Sequence, residues 1–137
     1  LALNLLSDEE KKSIGDELKS NPFGLHIHCP DGATPKDGPS AGITITTGIY
    51  SVLTGKKIHN YIAMTGEVDL LGNVKAIGGL DAKINGAIKA GVKLVIFPKE
   101  NEQDWDKIIK EKSLDGEIEI FMAENIEQVI NKAICFD

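Results

Sequence analysis

Apolar residues recur along this chain with two different periods, and each period predicts a type of secondary structure. Residues 7–19 have helical spacing behind a capping-box pattern formed by Ser7 and Glu10, which predicts a helix. The stretch SAGITITTGIYSVLTG, which begins at residue 40, is ambiguous because its β-branched residues favour a strand while its apolar spacing fits a buried helix. Because the stretch is long for a strand and ends at Gly55, we predict a helix.

Alternating and wholly apolar runs predict the strands. LHIHC (25–29) alternates, so it is predicted to be a strand with His26 and His28 on one face. NYIAMTGEVDLLG, from residue 60, has strand signals, and VKAIGG after it is the predicted second arm of a hairpin. VKLVIF (92–97) is largely apolar, which predicts a central strand.

The second half of the chain alternates helical and extended patterns. Helices are predicted at 80–90, around 103–111 and from Asn125 onwards, with a further strand at 117–122. This alternation favours βαβ units, while the middle of the chain favours antiparallel pairing. The pattern therefore predicts an α+β fold in which a mixed sheet is covered by helices. No repeat or linker divides the chain, so we expect one domain over residues 1–137.

Composition and charge narrow the class of protein. Hydrophobic residues make up 42% of the 137 residues and charged residues 26%, as in an ordinary soluble globular domain. The net charge of −6 and the lack of a basic run argue against nucleic acid as a partner. No apolar run reaches the ~20 residues of a membrane span, and the first residues lack a signal-peptide pattern. We therefore expect no membrane partner and a cytoplasmic location, with an organelle matrix as the alternative.

The cysteines and histidines do not have the spacing of a metal site. Cys29 and Cys135 are far apart and belong to no CxxC motif. His26 and His28 face the same way, but no third ligand is spaced to join them. We expect no metal, and we expect both histidines to be structural or to lie near the functional site.

The stretch PKDGPSAG (35–42) places Ser40 among small residues at a tight corner. Two interpretations follow: Ser40 caps a helix, or the corner presents it as a nucleophile. A serine hydroxyl needs a base to become a nucleophile, and the candidates are the three histidines of the chain and a few lysines. Lys83 differs from the other lysines because its apolar neighbours would partly bury its stem. Burial favours the neutral amine, which is the form that accepts a proton.

Two longer segments resemble one known family. HIHCPDGATPKDGPSAG resembles the segment around the nucleophile of the Lon protease proteolytic domain, and AMTGEVDLLGNVKAIGGLDAKINGAIKAGVKLVIFPKEN resembles the stretch that carries its catalytic lysine. The resemblance covers residue 24 to about residue 103. The motifs PKDGPSAG, MTGE and GGLxxK occur in the family's order, and the separation of Ser40 from Lys83 agrees with the family's spacing.

This resemblance implies the fold of the Lon proteolytic domain and a Ser–Lys dyad that hydrolyses peptide bonds in unfolded or damaged proteins. Ser40 would be the nucleophile, with Lys83 as general base and then as general acid to the leaving amine. Thr65, from MTGE, would hydrogen-bond Lys83 and hold its amine towards Ser40. The oxyanion needs backbone N–H donors, for which Gly38, Ser40 and Ala41 are all candidates.

The resemblance also implies supporting residues and partners. Glu67 either shapes the site or pairs with a neighbouring subunit, against the simpler interpretation of a solvated strand carboxylate. Asp37 is expected to shape its loop and to regulate access to Ser40. We expect an unfolded polypeptide as substrate and a homo-oligomer, a hexameric ring in the parent protein. Bond cleavage would need no cofactor, with ATP acting only through a separate unfolding module.

This sequence departs from the family at its start. It has no GxxxxGK[ST] motif of an ATPase module, and the early strands of the proteolytic domain are missing. We therefore expect an N-terminally truncated proteolytic domain with an incomplete sheet. Two other hypotheses stay open: a catalytically silent assembly or peptide-binding domain, and a fragment whose dyad is misaligned without a ring.

Overall fold

The structure is a computed structural model, and it describes residues 1–28, 38–112 and 118–136. The helices are α1 (Asp8–Ser20), α2 (Gly42–Thr54), α3 (Leu80–Lys89), α4 (Glu102–Lys112) and α5 (Ile126–Ala133). The strands are β1 (Ile62–Met64), β2 (Glu67–Val68), β3 (Val74–Lys75), β4 (Leu94–Pro98) and β5 (Glu119–Ala123). Short 3₁₀ turns cover Ala2–Leu5 and Lys99–Asn101. No helix within the described ranges is long and apolar enough to cross a membrane.

Helix α1 begins where the capping-box pattern predicts it. The Ser7 backbone N–H donates to the Glu10 carboxylate at 2.8 Å, and the Glu10 backbone N–H donates to Ser7 Oγ at 3.2 Å. These bonds satisfy N–H groups that otherwise have no partner in the first turn of a helix. The helix ends at Ser20, with Asn21 as its C-cap, so the helix predicted at residues 7–19 is confirmed.

The ambiguous stretch forms helix α2, and burial explains why the helix prevails over strand propensity. Helical winding places Ile43, Thr47 and Tyr50 on one buried face. Thr47 Oγ1 donates to the Ile43 carbonyl at 2.7 Å, so this buried hydroxyl is satisfied within the helix itself. Gly55, with a φ of 69°, is the left-handed residue that ends the helix. The helix interpretation is therefore confirmed.

Strand β4 is the centre of a three-stranded parallel sheet with the order β1-β4-β5. All of its residues are buried, which explains the nearly continuous apolar run at 92–97. The strand predicted at 117–122 appears as β5, and residue 117 lies outside the described residues.

The antiparallel pairing predicted for the middle of the chain is the hairpin of β2 and β3. In it, Glu67 lies opposite Lys75, and Val68 lies opposite Val74. The hairpin forms a separate two-stranded sheet beside the parallel one. Parallel and antiparallel strands together with covering helices confirm the α+β prediction.

The parallel sheet separates two hydrophobic clusters. Leu94 and Ile96 of β4 belong to the first cluster, to which α1, α2 and α5 also contribute. Val95 and Phe97, which point to the opposite face, belong to the second cluster together with α3 and α4. Helices therefore cover both faces of the sheet, and β4 connects the two halves of the core.

The predicted strand at 25–29 is wrong over the part that the structure describes. Residues 25–28 belong to no strand and are exposed, including the apolar Leu25 and Ile27. An alternating pattern makes a strand only where a neighbouring strand accepts and donates its hydrogen bonds, and no strand of the described ranges lies beside this segment. Cys29 lies outside the described residues.

An ion pair between Glu10 and Lys56 ties α1 to the segment that follows α2. Lys56 Nζ lies 3.0 Å from the Glu10 carboxylate. The Ser7 backbone N–H and Lys56 lower the pKa of Glu10, and the hydrogen bond with Glu10 raises the pKa of Lys56. Glu10 therefore adds stability that is present above its ordinary pKa and is lost as the pH falls through its lowered pKa in the folded state. The contribution of Lys56 is present below its ordinary pKa and is lost as the pH rises through its raised folded pKa.

We expect Glu10→Gln to lower the melting temperature at neutral pH, because glutamine keeps the size of the side chain and loses its charge. The difference from the wild type should shrink towards zero in acid, where Glu10 is protonated in both states. Thermal melts followed by circular dichroism from pH 3 to pH 8 measure this. Glu9→Gln, at the exposed neighbouring position, is the control and should give no such trend. A Glu10→Gln difference that is independent of pH would contradict the expectation.

Candidate active site

Ser40 lies where the chain enters α2, and its backbone is fixed from the strand side. The Ser40 carbonyl accepts hydrogen bonds from the Gly66 backbone N–H at 2.7 Å and from Thr65 Oγ1 at 3.3 Å. One turn further along, the Ile43 backbone N–H donates to the Gly66 carbonyl at 3.1 Å. The link between β1 and β2 therefore holds the start of α2 and sets the position of the Ser40 hydroxyl.

Glycine permits this close approach between α2 and the strand link. A Cβ added to Gly42 would lie 3.0 Å from the Val68 backbone N and 3.3 Å from the Gly66 carbonyl oxygen. A Cβ added to Gly66 would lie 3.0 Å from the Ile43 side chain. All three distances are shorter than ordinary van der Waals contact, so these two glycines are needed for their small size.

Lys83 reaches Ser40 from the opposite side, in the first turn of α3. Its Nζ donates a hydrogen bond to Ser40 Oγ at 3.3 Å. Leu80, Ile84 and Ala87 of the same helix are buried in the second cluster, and this packing fixes the rotation of the helix. Lys83 itself is exposed, so the expected burial of its stem is not found in this chain.

Thr65 is buried beside the dyad, and its contacts differ from the predicted one. Its backbone N–H donates to the Ile96 carbonyl of β4 at 3.0 Å, and its hydroxyl donates to the Ser40 carbonyl. The predicted bond to the Lys83 amine is not among the contacts of the described residues. The Thr65 hydroxyl thus contacts the backbone of Ser40 rather than the Lys83 amine.

The three candidate oxyanion donors lie together at the corner before α2. Gly38 has a φ of 80°, which lies in the left-handed region that glycine adopts without strain. Within the described residues, neither the Ser40 N–H nor the Ala41 N–H donates to a backbone carbonyl. The Gly42 N–H is engaged with the Pro39 carbonyl at 3.0 Å. The geometry therefore leaves Gly38, Ser40 and Ala41 as candidates.

The remaining predicted residues are not brought into contact with the dyad in the described part of the chain. His26 and His28 are exposed, with ring centroids 6.3 Å apart. Glu67 is half-buried opposite Lys75 in the hairpin. Asp37 lies outside the described residues. Within 1–28, 38–112 and 118–136, no three histidine, cysteine or acidic side chains cluster in a way that could hold a metal ion.

A groove of about 440 Å³ adjoins the dyad, and Ser40, Thr65 and Lys83 line part of it. We call it the dyad groove. Small or apolar residues of β1, α3 and the segment after α3 line much of the rest; they are Ala63, Met64, Gly86, Ala87, Ala90 and Val92. The dyad groove can therefore accept an apolar group of a ligand beside Ser40.

A family model described as Lon protease (S16) C-terminal proteolytic domain matches residues 1–136. The chain belongs to this family. It is 46% identical to a Lon protease of Clostridium acetobutylicum over 124 residues, which cover 90% of the chain and 16% of that protein. It is 53% identical to a Lon protease of Fusobacterium nucleatum over 105 residues, 77% of the chain and 13% of that protein.

A Lon protease homolog of Acanthamoeba polyphaga mimivirus is 45% identical over 133 residues, 94% of the chain and 12% of that protein. The chain thus spans 12% to 16% of the length of these curated relatives. The fold, the Ser40–Lys83 contact and the dyad groove described above are therefore those of a member of the Lon proteolytic-domain family.

Sequence reasoning missed several residues that shape the site of this Lon proteolytic domain. Gly42 and Gly66 lie inside the motifs GPSAG and MTGE, which indicate a nucleophile and a hydrogen-bond donor but not a close contact between backbones. Gly86 of α3 and Ala90, the residue that caps the end of α3, are four positions apart, and this spacing of small residues was the available signal for a groove.

We expect Gly42→Ala to destabilise the domain by about 1–3 kcal/mol, the usual range when a well-packed contact is overfilled. The added methyl group must displace Val68 or the start of α2. Urea unfolding at constant pH measures the free energy. Gly48→Ala is the matched control, because it lies in the same helix and its added Cβ would meet no atom within 4 Å. Alanine there should be neutral or stabilising by about 0.5–1 kcal/mol, and equal stabilities of the two variants would refute the tight contact.

Proposed function

We propose that this Lon proteolytic domain is a serine endopeptidase that hydrolyses peptide bonds in unfolded or damaged polypeptides with a Ser40–Lys83 dyad. The observation that carries the proposal is the 3.3 Å hydrogen bond from Lys83 Nζ to Ser40 Oγ. Ser40 precedes α2 and Lys83 lies in α3. A nucleophile within hydrogen-bond distance of a base is the arrangement that covalent catalysis needs. Membership of the Lon family supports the same reaction class.

Acylation begins when Ser40 Oγ attacks the scissile carbonyl carbon and its proton passes to the neutral amine of Lys83. The carbonyl oxygen becomes an oxyanion, which backbone N–H groups of Gly38, Ser40 or Ala41 stabilise. The tetrahedral intermediate collapses, the C–N bond breaks, and the Lys83 ammonium donates its proton to the leaving amine. An ester between Ser40 and the substrate remains.

Deacylation repeats these steps with water as the nucleophile. Lys83 accepts a proton from the water as the water attacks the ester carbonyl. It then returns the proton to Ser40 Oγ as the C–O bond breaks and the peptide acid leaves. Thr65 and Gly66 hold the Ser40 carbonyl during both halves, so the hydroxyl keeps its position.

Lys83 can accept a proton only when it is neutral, and its side chain is exposed in the isolated chain. A peptide bound across the dyad groove would exclude water from the amine, which is one way in which substrate binding contributes to catalysis. Asp37, Glu67, His26 and His28 stay predicted supporting residues.

The partners and setting are part of the same proposal. The domain acts in a homo-oligomer, a hexameric ring in the parent protein, on unfolded polypeptide. Bond cleavage requires neither metal nor cofactor, and ATP enters only through a separate unfolding module. The location is the cytoplasm or an organelle matrix.

A catalytically silent assembly or peptide-binding domain is the alternative, and the exposure of Lys83 is the observation that favours it. The complete set of Ser40, Thr65 and Lys83 argues against it, because binding alone does not require a serine in contact with a lysine.

We expect Ser40→Ala and Lys83→Ala each to lower kcat for a fluorogenic peptide by at least about 100-fold, since each removes a partner in the proton transfer. Initial rates are measured together with light scattering, which gives the oligomeric state of each variant. Lys89→Ala is the control, because Lys89 is an exposed lysine of the same helix that does not line the dyad groove. A wild-type chain that is inactive at every pH and assembly state would instead favour the silent domain.

The dyad groove should select the side chain before the scissile bond. A Cβ added to Gly86 meets no atom within 4 Å, so Gly86→Ala adds a methyl group beside the groove without a clash. Gly86→Leu extends that side chain further into the groove, which Gly86 lines. We expect kcat/KM for peptides with leucine or phenylalanine at this position to fall stepwise, by about 10-fold or more for Gly86→Leu, while peptides with alanine are less affected. The measurement is the ratio of kcat/KM for a leucine or phenylalanine peptide to kcat/KM for an alanine peptide. If this ratio were the same in the wild type, Gly86→Ala and Gly86→Leu, the groove would be excluded as the specificity pocket.

A further inference from the structure

Asn101 is a buried amide that makes three hydrogen bonds, two of them to one residue of a distant loop. It lies in the 3₁₀ turn after β4 and is 2% exposed. Its Oδ1 accepts from the Ile77 backbone N–H at 3.0 Å, and its Nδ2 donates to the Ile77 carbonyl at 2.9 Å. The third bond runs from Nδ2 to the Asp104 carboxylate at 2.9 Å. The side chain thus pairs with Ile77 as a neighbouring strand would.

The loop that Asn101 holds leads directly into the helix that carries Lys83. After Ile77 come Gly78 and Gly79, and then α3 begins. Both glycines are exposed, neither would bring an added Cβ within 4 Å of another atom, and Gly79 has a φ of 69°. A pair of unpacked glycines gives the backbone wide freedom, so the fixed point nearest to α3 on its N-terminal side is Ile77.

Glu100 supports the same loop at its surface. Its carboxylate accepts from the Ala76 backbone N–H at 2.8 Å and from Lys75 Nζ at 3.3 Å. The Ala76 N–H and Lys75 lower the pKa of Glu100, so this carboxylate is ionised at neutral pH. Glu100 and its partners are exposed, whereas Asn101 is buried. The hydrogen bonds of Asn101 to Ile77 are therefore expected to be stronger than those of Glu100 to the loop.

Both halves of the dyad are connected to β4. Ser40 is held by Thr65, whose backbone N–H bonds the Ile96 carbonyl in the middle of β4. The loop before α3 is held by Asn101, which follows the end of β4. The distance between Ser40 Oγ and Lys83 Nζ therefore depends on two sets of contacts that both start from β4, one through Thr65 and one through Asn101.

We propose that Asn101 is a positioning residue of the protease: by fixing Ile77 it sets where α3 begins, and thereby places Lys83 Nζ against Ser40 Oγ. The inference rests on the proposed dyad. Asn101 touches neither the dyad nor the dyad groove, so it acts on the catalytic step and leaves peptide binding to the groove.

The test compares variants of two hydrogen-bond partners in the same cluster. Asn101→Ala removes all three bonds of Asn101, and Asn101→Asp keeps the acceptor for the Ile77 N–H but loses Nδ2, which donates to the Ile77 carbonyl and to Asp104. Asp104→Ala is the matched control, because it removes the third bond of Asn101 and leaves Ile77 held. Rates are measured well below each melting temperature, so that every variant is folded.

We expect Asn101→Ala to lower kcat by about 10- to 100-fold with KM within about 2-fold of the wild type, because a displaced base affects the chemical step and not the groove. Asn101→Asp should lower kcat at least as much as Asn101→Ala, because it places a buried carboxylate against the Ile77 carbonyl and Asp104. Asp104→Ala should change kcat by less than about 2-fold. Adding Gly78→Ala to Asn101→Ala should restore part of kcat, because it stiffens the linker at a position without positive φ.

A merely structural role for Asn101 predicts a different pattern. Asn101→Ala and Asp104→Ala would then lower kcat only in proportion to their loss of stability, and Gly78→Ala would not restore it. That result would overturn the proposal.

Hydrogen exchange separates the failure of this inference from the failure of the proposed protease function. If the wild-type chain hydrolyses no peptide, the protease proposal fails, while the hold on α3 is still decided by amide exchange in residues 77–83. Faster exchange there in Asn101→Ala and not in Asp104→Ala supports the hold, and equal exchange in both variants overturns it.

Discussion

The burial of β4 on both faces is the constraint on which the rest of the structure depends. Its residues alternate between the two hydrophobic clusters, so neither half of the core can form without it. Five consecutive buried residues also leave the strand no freedom to slip, because a shift by one residue would exchange the side chains of the two clusters. Everything that holds the candidate site is attached to this strand or to a neighbour that pairs with it.

The position of Ser40 is fixed mainly by hydrogen bonds between backbone groups. The Ser40 carbonyl, the Gly66 N–H and the Thr65 N–H form a connected path from α2 to the Ile96 carbonyl. Gly42 and Gly66 make this path short, since neither leaves room for a side chain between the helix and the strand link. Lys83 is connected to β4 less directly, because Gly78 and Gly79 lie between α3 and the held residue Ile77. On our proposal, the Lys83 side of the dyad therefore needs the Asn101 contact in addition to the packing of α3.

Much of the fold was predictable, because burial in this chain follows simple periods. The capping box of α1, the Gly55 end of α2 and the apolar run of β4 are local signals, and each element appears where the signal places it. The segment at 25–28 fails for a physical reason: alternation of residues describes the faces of a strand but supplies no hydrogen-bond partner. For the site, sequence motifs singled out Ser40 and Lys83 as candidates. The contacts of Thr65, Gly42 and Asn101 could not be predicted, because they join elements that are far apart in the sequence.

The large sequence separation between Ser40 and Lys83 has a consequence for the protein while it folds. These residues are 43 positions apart and meet only after β4 has paired in parallel with β1 and α3 has packed against its second face. Non-local parallel pairing is among the slower events in folding. On the proposed mechanism, a newly made or partly unfolded chain carries its serine and its lysine on unconnected segments. Such a chain is itself an unfolded polypeptide of the kind proposed as substrate. It cannot cleave other chains until its own hydrophobic core has formed and has brought the two residues together.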